Sequence, residues 1–203
     1  MVHIVEDDPD LRTGLDSLLT SVAIPHRMYE SPEEYLKSAI KSGSGCVVLD
    51  IRMPGMSGID LLKAIRQRGI ALPIIMMTAH ADVPVTIQAF QLGAMEFLLK
   101  PFPMNQFLEA VTKAFERDLE RMKCETEREQ LKTRLDSLSA KDWEVIEMLR
   151  QGHPNKRIAS ELGVTERAVE MRRSALLRRA NVTNLPELIE LITRHDLQSQ
   201  KDR

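Results

Sequence analysis

Asp50 closes the apolar run Cys46-Val47-Val48-Leu49, and the turn Ile51-Arg52-Met53-Pro54-Gly55 follows at once. A carboxylate at the C-terminal end of a buried strand falls in the crevice where open α/β sheets hold their ligands. A second apolar run, Val2-His3-Ile4-Val5, ends in Glu6-Asp7-Asp8. Acids from two strand ends would meet in one small space, and carboxylates crowded that closely need a cation. Hard oxygen donors with few neighbours suit Mg²⁺, with water filling the remaining positions. Thr78 and Lys100 end two further apolar runs, Pro73–Met77 and Phe97-Leu98-Leu99. Acids with a metal, a hydroxyl and a lysine form a site for a dianion: the cations neutralise phosphoryl oxygens and the hydroxyl donates to one of them. Asp50 is the nucleophile of such a site, giving an aspartyl phosphate.

The elements that must position these residues alternate. Strands are expected at 2–6, 26–29, 46–50, 73–78 and 96–99, and helices at 9–22, 32–42, 58–68, 84–92 and from 104 onward. Ser31 before Pro32 reads as an N-cap with proline at the first helical position. Five such units predict an α/β fold, a doubly wound five-stranded parallel sheet covered by helices on both faces.

On Asp7-Asp8, Asp50 with Met53-Pro54-Gly55 and Gly58, Thr78-Ala79 and Lys100-Pro101-Phe102, residues 1–117 resemble the receiver (phosphoacceptor) domain of two-component response regulators, a flavodoxin-like fold. The resemblance implies that Asp7, Asp8 and Asp50 hold Mg²⁺ together with the backbone carbonyl of Arg52. It implies a cognate sensor histidine kinase as phosphoryl donor, a cis peptide at Lys100–Pro101, and Phe97 as the aromatic residue of the switch. It also implies that any chemistry is self-directed, namely phosphoryl transfer to Asp50 and its later loss, so the protein is not expected to be an enzyme.

Length and composition agree with that reading. The 203 residues suit one large or two small domains, and 43 % hydrophobic content is that of a globular protein. No apolar run approaches the roughly 20 residues needed to span a bilayer. Cys46 and Cys124 lie far apart and form neither a metal spacing nor a disulfide framework. A cytoplasmic protein without a membrane partner is expected. Charge is unevenly spread: residues 1–103 hold 9 basic and 12 acidic residues, whereas 139–203 hold 12 and 10. The excess of arginine in the second half points to a nucleic acid.

From Met104 to about Asp136 neither proline nor glycine interrupts a stretch rich in helix formers. Residues 118–137 read as a helical linker, either a solvated spacer or a coiled-coil seam through Leu119, Met122, Leu131, Leu135 and Leu138. Residues 138–203 then read as four short helices, at 140–151, 155–162, 166–180 and 185–195, making an all-α domain. The second and third are joined by the tight turn Gly163-Val164-Thr165 of a helix-turn-helix.

That region resembles the DNA-binding domain of the LuxR/FixJ/NarL class. The resemblance rests on Leu138-Ser139, Asn155-Lys156-Arg157-Ile158-Ala159, Leu162-Gly163-Val164-Thr165 and Ala168-Val169-Glu170. Ile158, Ala159, Leu162, Val164, Val169, Leu176 and Leu177 are expected to build its core. Helix 166–180 would present Arg167, Glu170, Arg172 and Arg173 to base edges. Asn155, Lys156, Arg178 and Arg179 would meet phosphates. Ala168, Arg172 and Ala180-Asn181 depart from the class's usual residues, so the target sequence does not transfer. The apolar positions of the last helix, Leu185, Leu188, Ile189 and Ile192, suit either dimerisation or core packing.

The chain as a whole resembles a FixJ/NarL-type response regulator. Its expected partners are double-stranded promoter DNA, RNA polymerase and, when phosphorylated, a second copy of itself. Two rivals have less support. A phosphoesterase using Asp50 would want a second acid two residues on, where this chain has Arg52. A constitutive or RNA-directed regulator, using the receiver only as a binding module, would not need the complete acid, Thr78 and Lys100 set. An RNA reader would also want exposed aromatics, where the C-terminal half offers only Trp143, expected on the inward side of its helix.

Overall fold

The computed structural model describes residues 1–38, 43–79 and 83–201. The chain forms two compact units, residues 1–122 and 123 onward.

In the first unit, β1 (Val2–Val5), β2 (His26–Tyr29), β3 (Cys46–Asp50), β4 (Ile74–Thr78) and β5 (Glu96–Leu99) form one sheet in the order β2-β1-β3-β4-β5. All pairings are parallel. Every residue of β1, β3 and β4 is buried, which is why these strands are apolar almost without interruption. The pleat sends alternate residues to opposite cores. Val5, Val47, Leu49, Ile74 and Met76 face one, with Tyr35 of α2 (Pro32–Lys37), Ile59, Leu62 and Ile65 of α3 (Gly58–Gln67) and Ala89 of α4 (Val83–Gln91). Val2, Ile4, Val48, Ile75 and Met77 face the other. There they meet Leu15 and Leu19 of α1 (Pro9–Ser21) and Phe107 and Val111 of α5 (Met104–Asp136). The sheet is thus sandwiched between helices, as expected.

The helix expected over 32–42 ends at Lys37. Ser38 caps it with extended backbone, φ −66° and ψ 136°, and 39–42 lie outside the described residues. α5 continues through Asp136 without a break.

In the second unit, Leu131 and Leu135 of α5 and Leu138 beyond it are buried. They pack with Ile146 of α6 (Ala140–Arg150), Leu176 of α8 (Glu166–Arg179) and Leu188 and Ile192 of α9 (Leu185–Lys201). Three of the five positions considered for a coiled-coil seam are therefore taken up by intramolecular packing. Leu119 and Met122 are exposed. Leu188 and Ile192, which also suited a dimer seam, are core residues. α9 runs past residue 195 because no proline or glycine follows to stop it.

A second cluster joins Val145 and Leu149 of α6, Ile158 and Ala159 of α7 (Asn155–Leu162) and Val169 of α8. Between α7 and α8, Gly163 adopts left-handed backbone, φ 64° and ψ 33°, and Thr165 caps the next helix. This is the expected helix-turn-helix. Two expectations are corrected here. Val164 is 40 % exposed, because the turn carries it away from both helices' inward faces. Trp143 is 37 % exposed, because the buried face of α6 runs through Asp142, Val145, Ile146 and Leu149 and leaves Trp143 beside it.

Candidate functional site

The parallel register brings the polar strand ends to one edge. Asp50 lies opposite Met77, Thr78 opposite Leu99, and Val5 opposite Leu49. Glu6, Asp50, Thr78 and Lys100 consequently converge where the strand order reverses around β1 and β3. Carboxylate oxygens of Glu6, Asp7 and Asp50 lie within 4.8 Å of one another. Lys100 Nζ donates to Glu6 Oε2 at 2.7 Å and lies 3.1 Å from Asp50 Oδ2. The Lys100–Pro101 peptide is cis. Lys100 N donates to Thr78 O at 2.7 Å, tying the two strand ends together, and Thr78 is buried.

The electrostatics follow from two acids, Glu6 and Asp50, sharing one lysine with a third acid, Asp7, close by. Glu6 is fully buried, and burial raises its carboxyl pKa, as does the neighbouring Asp50; the Lys100 hydrogen bond offsets part of this. For Lys100, burial alone would lower the pKa, but hydrogen bonds and charge from Glu6 and Asp50 raise it. The lysine is firmly cationic, and the cluster keeps an excess of negative charge. An all-oxygen donor set of that charge and spacing fits a small divalent cation.

Asp8, expected among these acids, belongs elsewhere. Its Oδ1 accepts from Asp10 N at 2.9 Å and Leu11 N at 3.3 Å, capping α1 with Pro9 at the first helical position. Glu6 takes its place in the cluster. The signal is present in the sequence: Asp8-Pro9 is the same cap-and-proline pair as Ser31-Pro32. Arg12 is a residue that sequence reasoning misses altogether, and it donates from Nη1 to the carbonyls of Glu6 and Asp7. Phe97 is partly buried, with its ring 5.4 Å from that of Phe90. Arg52 is exposed in the turn after β3. Asp7 lines an open groove of about 720 Å³ together with Arg52, Met53 and Lys63 among others, whereas Glu6 and Asp50 are buried.

In the second unit, α8 presents one exposed stripe of Arg167, Glu170, Met171, Ser174 and Arg178, which lines a shallow groove of about 370 Å³. Met171, 67 % exposed, and Ser174 are additions to the expected set, although helical spacing from Arg167 places them on the same face. Lys156 is exposed on α7. Arg172 and Arg173 are half-buried, and Arg173 Nη1 donates to Asn155 Oδ1 at 2.9 Å, pinning α8 to α7. Arg179, expected at a phosphate, instead grips Asp142 through both terminal nitrogens at 2.9 and 3.0 Å. Burial would raise the Asp142 pKa, but hydrogen bonds from the Ser139 hydroxyl and amide, together with Arg179, hold it below the usual range.

Comparison with known proteins covers both units. The family profile of the response regulator receiver domain matches residues 2–112, and that of bacterial regulatory proteins of the luxR family matches 136–192. The transcriptional regulatory protein FixJ of Azorhizobium caulinodans is 36 % identical over 94 % of this chain and 90 % of its own. Nodulation protein W of Bradyrhizobium diazoefficiens is 35 % identical over 94 % and 84 %. Among solved structures, the response regulator StyR matches with a TM-score of 0.87 at 35 % identity, covering 95 % of this chain and 98 % of that one. Full-length FixJ from B. japonicum matches with 0.59 at 32 % identity, over 97 % of each.

Proposed function

Since the chain belongs to the response regulators that join a receiver domain to a luxR-type DNA-binding domain, we propose that Asp50 accepts a phosphoryl group from a sensor histidine kinase, with Mg²⁺ held by Glu6, Asp7, Asp50 and the carbonyl of Arg52. The protein is a DNA-binding transcriptional regulator, and its family is one of regulators rather than of enzymes that turn over substrates. The observation that carries the phosphoryl reading is the shared grip of Lys100 on Glu6 and Asp50 at the switch point of the sheet.

When bound, the ion neutralises charge on the incoming phosphoryl oxygens. An Asp50 oxygen attacks phosphorus as the bond to the donor imidazole nitrogen breaks, and the imidazole keeps that electron pair. Lys100 exchanges part of its contact with Asp50 for a phosphoryl oxygen, and the Thr78 hydroxyl donates to another. The aspartyl phosphate carries about two negative charges where the Asp50 carboxylate carried one, so it adds about one net negative charge beside the acids and moves it outward onto the phosphoryl oxygens. Displacement of Thr78 and Phe97 towards it disturbs the Phe97–Phe90 contact and so reaches α4.

There Val83, Ile87 and Phe90 of α4, Leu99 of β5 and Met104 of α5 stand 49 to 66 % exposed. A second copy covers this apolar face once Asp50 is phosphorylated, pairing two DNA-binding domains on adjacent half-sites. RNA polymerase is the partner through which the pair acts, and promoter DNA puts its work in the cytoplasm. No helix among the described residues is long and apolar enough to cross a membrane. Light-scattering mass with Mg²⁺ and beryllofluoride, a phosphoryl stand-in, tests the scheme. The mass is expected to double on addition, and a mass indifferent to beryllofluoride defeats phosphorylation-driven pairing.

On DNA, Arg167, Glu170, Met171 and Ser174 face base edges, while Arg178 and Lys156 meet phosphates. Arg167 suits guanine, Glu170 a cytosine amino group and Met171 a thymine methyl. Glu170→Ala is expected to cost ~1–3 kcal/mol at one base pair and relax its preference. Arg178→Ala should instead weaken all sequences alike and lower the salt slope by about one. Affinities measured over sequence and salt variants check both, and interchanged effects would reverse the assignment.

A further inference from the structure

Arg12 has no part in the phosphoryl chemistry described above, yet it holds the turn on which that chemistry depends. It lies in the first turns of α1, and its Nη1 reaches back to Glu6 O at 2.7 Å and to Asp7 O at 2.9 Å. These carbonyls belong to the two residues whose carboxylates, with Asp50, make the acid cluster. One guanidinium nitrogen bridging two successive carbonyls fixes the relative orientation of their peptide planes, and hence the directions in which both side chains leave the backbone. Asp8 closes the same turn by accepting from Asp10 N and Leu11 N. The β1–α1 turn is therefore held by two side chains, neither of which is itself a member of the cluster.

The need for such a hold is electrostatic. Three carboxylate groups within 4.8 Å repel one another, and among the described residues Lys100 pairs with Glu6 and Asp50 but not with Asp7. Asp7 lines the open groove instead. Left to itself, a turn carrying two of three mutually repelling groups would relax by rotating one of them out towards water. The guanidinium opposes that by geometry and by its own positive charge behind the two peptides. It acts with most consequence on Asp7, the member of the set that Lys100 does not restrain.

We propose that Arg12 is a positioning residue for the divalent-cation site: it preorganises Glu6 and Asp7 and thereby sets affinity for the ion, not the speed of phosphoryl transfer once the ion is bound. The proposal rests on the reading of Glu6, Asp7 and Asp50 as the Mg²⁺ site. Residues that orient ligands from outside the ligand set typically change metal affinity about 10- to 100-fold. Lysine at position 12 would keep the charge but lack the planar fork, so it separates charge from geometry.

The test is titration of the full chain with Mg²⁺ alone, followed by amide NMR shifts at the ends of β1 and β3. Wild type, Arg12→Ala, Arg12→Lys and the reference Asp7→Asn are compared. Arg12→Ala is expected to raise the dissociation constant about tenfold or more while the phosphorylation rate at saturating Mg²⁺ is retained. Arg12→Lys should fall between it and wild type. An unchanged dissociation constant in a folded Arg12→Ala overturns the proposal, as does a rate that stays depressed at saturating Mg²⁺. If the alanine variant does not fold, an unchanged constant for Arg12→Lys overturns it and a raised one supports it. No Mg²⁺-dependent shift in wild type would sink the underlying site reading instead, whatever the variants do.

Discussion

Asp50→Asn is expected to abolish phosphoryl incorporation while leaving the receiver domain folded and at least as stable as wild type. The first half of that expectation is chemical. An amide is a poor nucleophile for phosphorus and a weaker partner for a cation, so both the acceptor and one ligand of the ion disappear together. The second half is electrostatic. The substituted amide fills the same volume at the end of β3, and Lys100 keeps its 2.7 Å bond to Glu6. What is lost is the 3.1 Å contact of Lys100 with Asp50; what is relieved is the repulsion by which Asp50 helps to raise the Glu6 pKa. With one lysine between two carboxylates, removal of either acid leaves a balanced pair. Intact-protein mass after exposure to a small phosphoryl donor with Mg²⁺ reads the first effect, and urea unfolding reads the second. DNA binding by the variant should persist at its basal level and no longer answer to beryllofluoride. A variant that still gains the phosphoryl mass would move the acceptor to another residue. A variant that unfolds readily would mean that Asp50 is a structural partner of Lys100 before it is an acceptor.

The reach of the sequence differs between kinds of residue, for physical reasons. β3 and β4 are buried on both faces, so their composition alone announces them, and the polar residues that end them, Asp50 and Thr78, stand out against it. The acid set is less legible in the sequence. Glu6-Asp7-Asp8 offers three carboxylates in a row, and which two face Asp50 depends on where β1 stops and α1 begins. That boundary was itself encoded, in Asp8-Pro9, but a capping aspartate and a metal-binding one are the same residue type. Contacts that only the folded chain creates leave no periodic trace at all. Arg12 with the carbonyls of Glu6 and Asp7 is one case. Arg179 with Asp142, 37 positions apart, is another. An arginine on a helix reads as solvated until the fold supplies its carboxylate, and here that carboxylate removed Arg179 from the set expected at phosphates. The long helix shows the complementary limit. The spacing of Leu131, Leu135 and Leu138 revealed an apolar face, but a spacing cannot say whether a second copy or the chain's own α6, α8 and α9 will cover it.

The largest effect expected from the smallest change is at Gly58, where alanine should destabilise the receiver and cripple phosphorylation together. Gly58 opens α3, and its amide donates to Ile51 O at 2.9 Å, so the helix starts hard against the end of β3. A Cβ there would lie 2.0 Å from Asp50 O, 2.9 Å from Asp50 C and 3.0 Å from Ile51 Cα. All three are backbone atoms, so no side-chain rotation makes room. Either α3 backs away from the sheet, loosening Ile59, Leu61 and Leu62 in the core, or the Asp50 peptide turns and carries the acceptor out of register with Lys100. Overpacking of this kind costs ~1–3 kcal/mol, and the better helix propensity of alanine returns at most ~1 kcal/mol. Gly14 in α1 is the matched control: nothing lies within 4 Å of its hypothetical Cβ, so Gly14→Ala should be neutral or stabilising. The two units can be followed separately, because Tyr29 and Tyr35 lie in the first and Trp143 in the second. Gly58→Ala is expected to shift the tyrosine-reported unfolding to lower urea, leave the tryptophan-reported transition in place, and lower phosphoryl incorporation by more than its folded fraction explains. Stability within ~0.5 kcal/mol of wild type, with normal incorporation, would mean that the approach of α3 to Asp50 is slack and that something other than Gly58 fixes the acceptor.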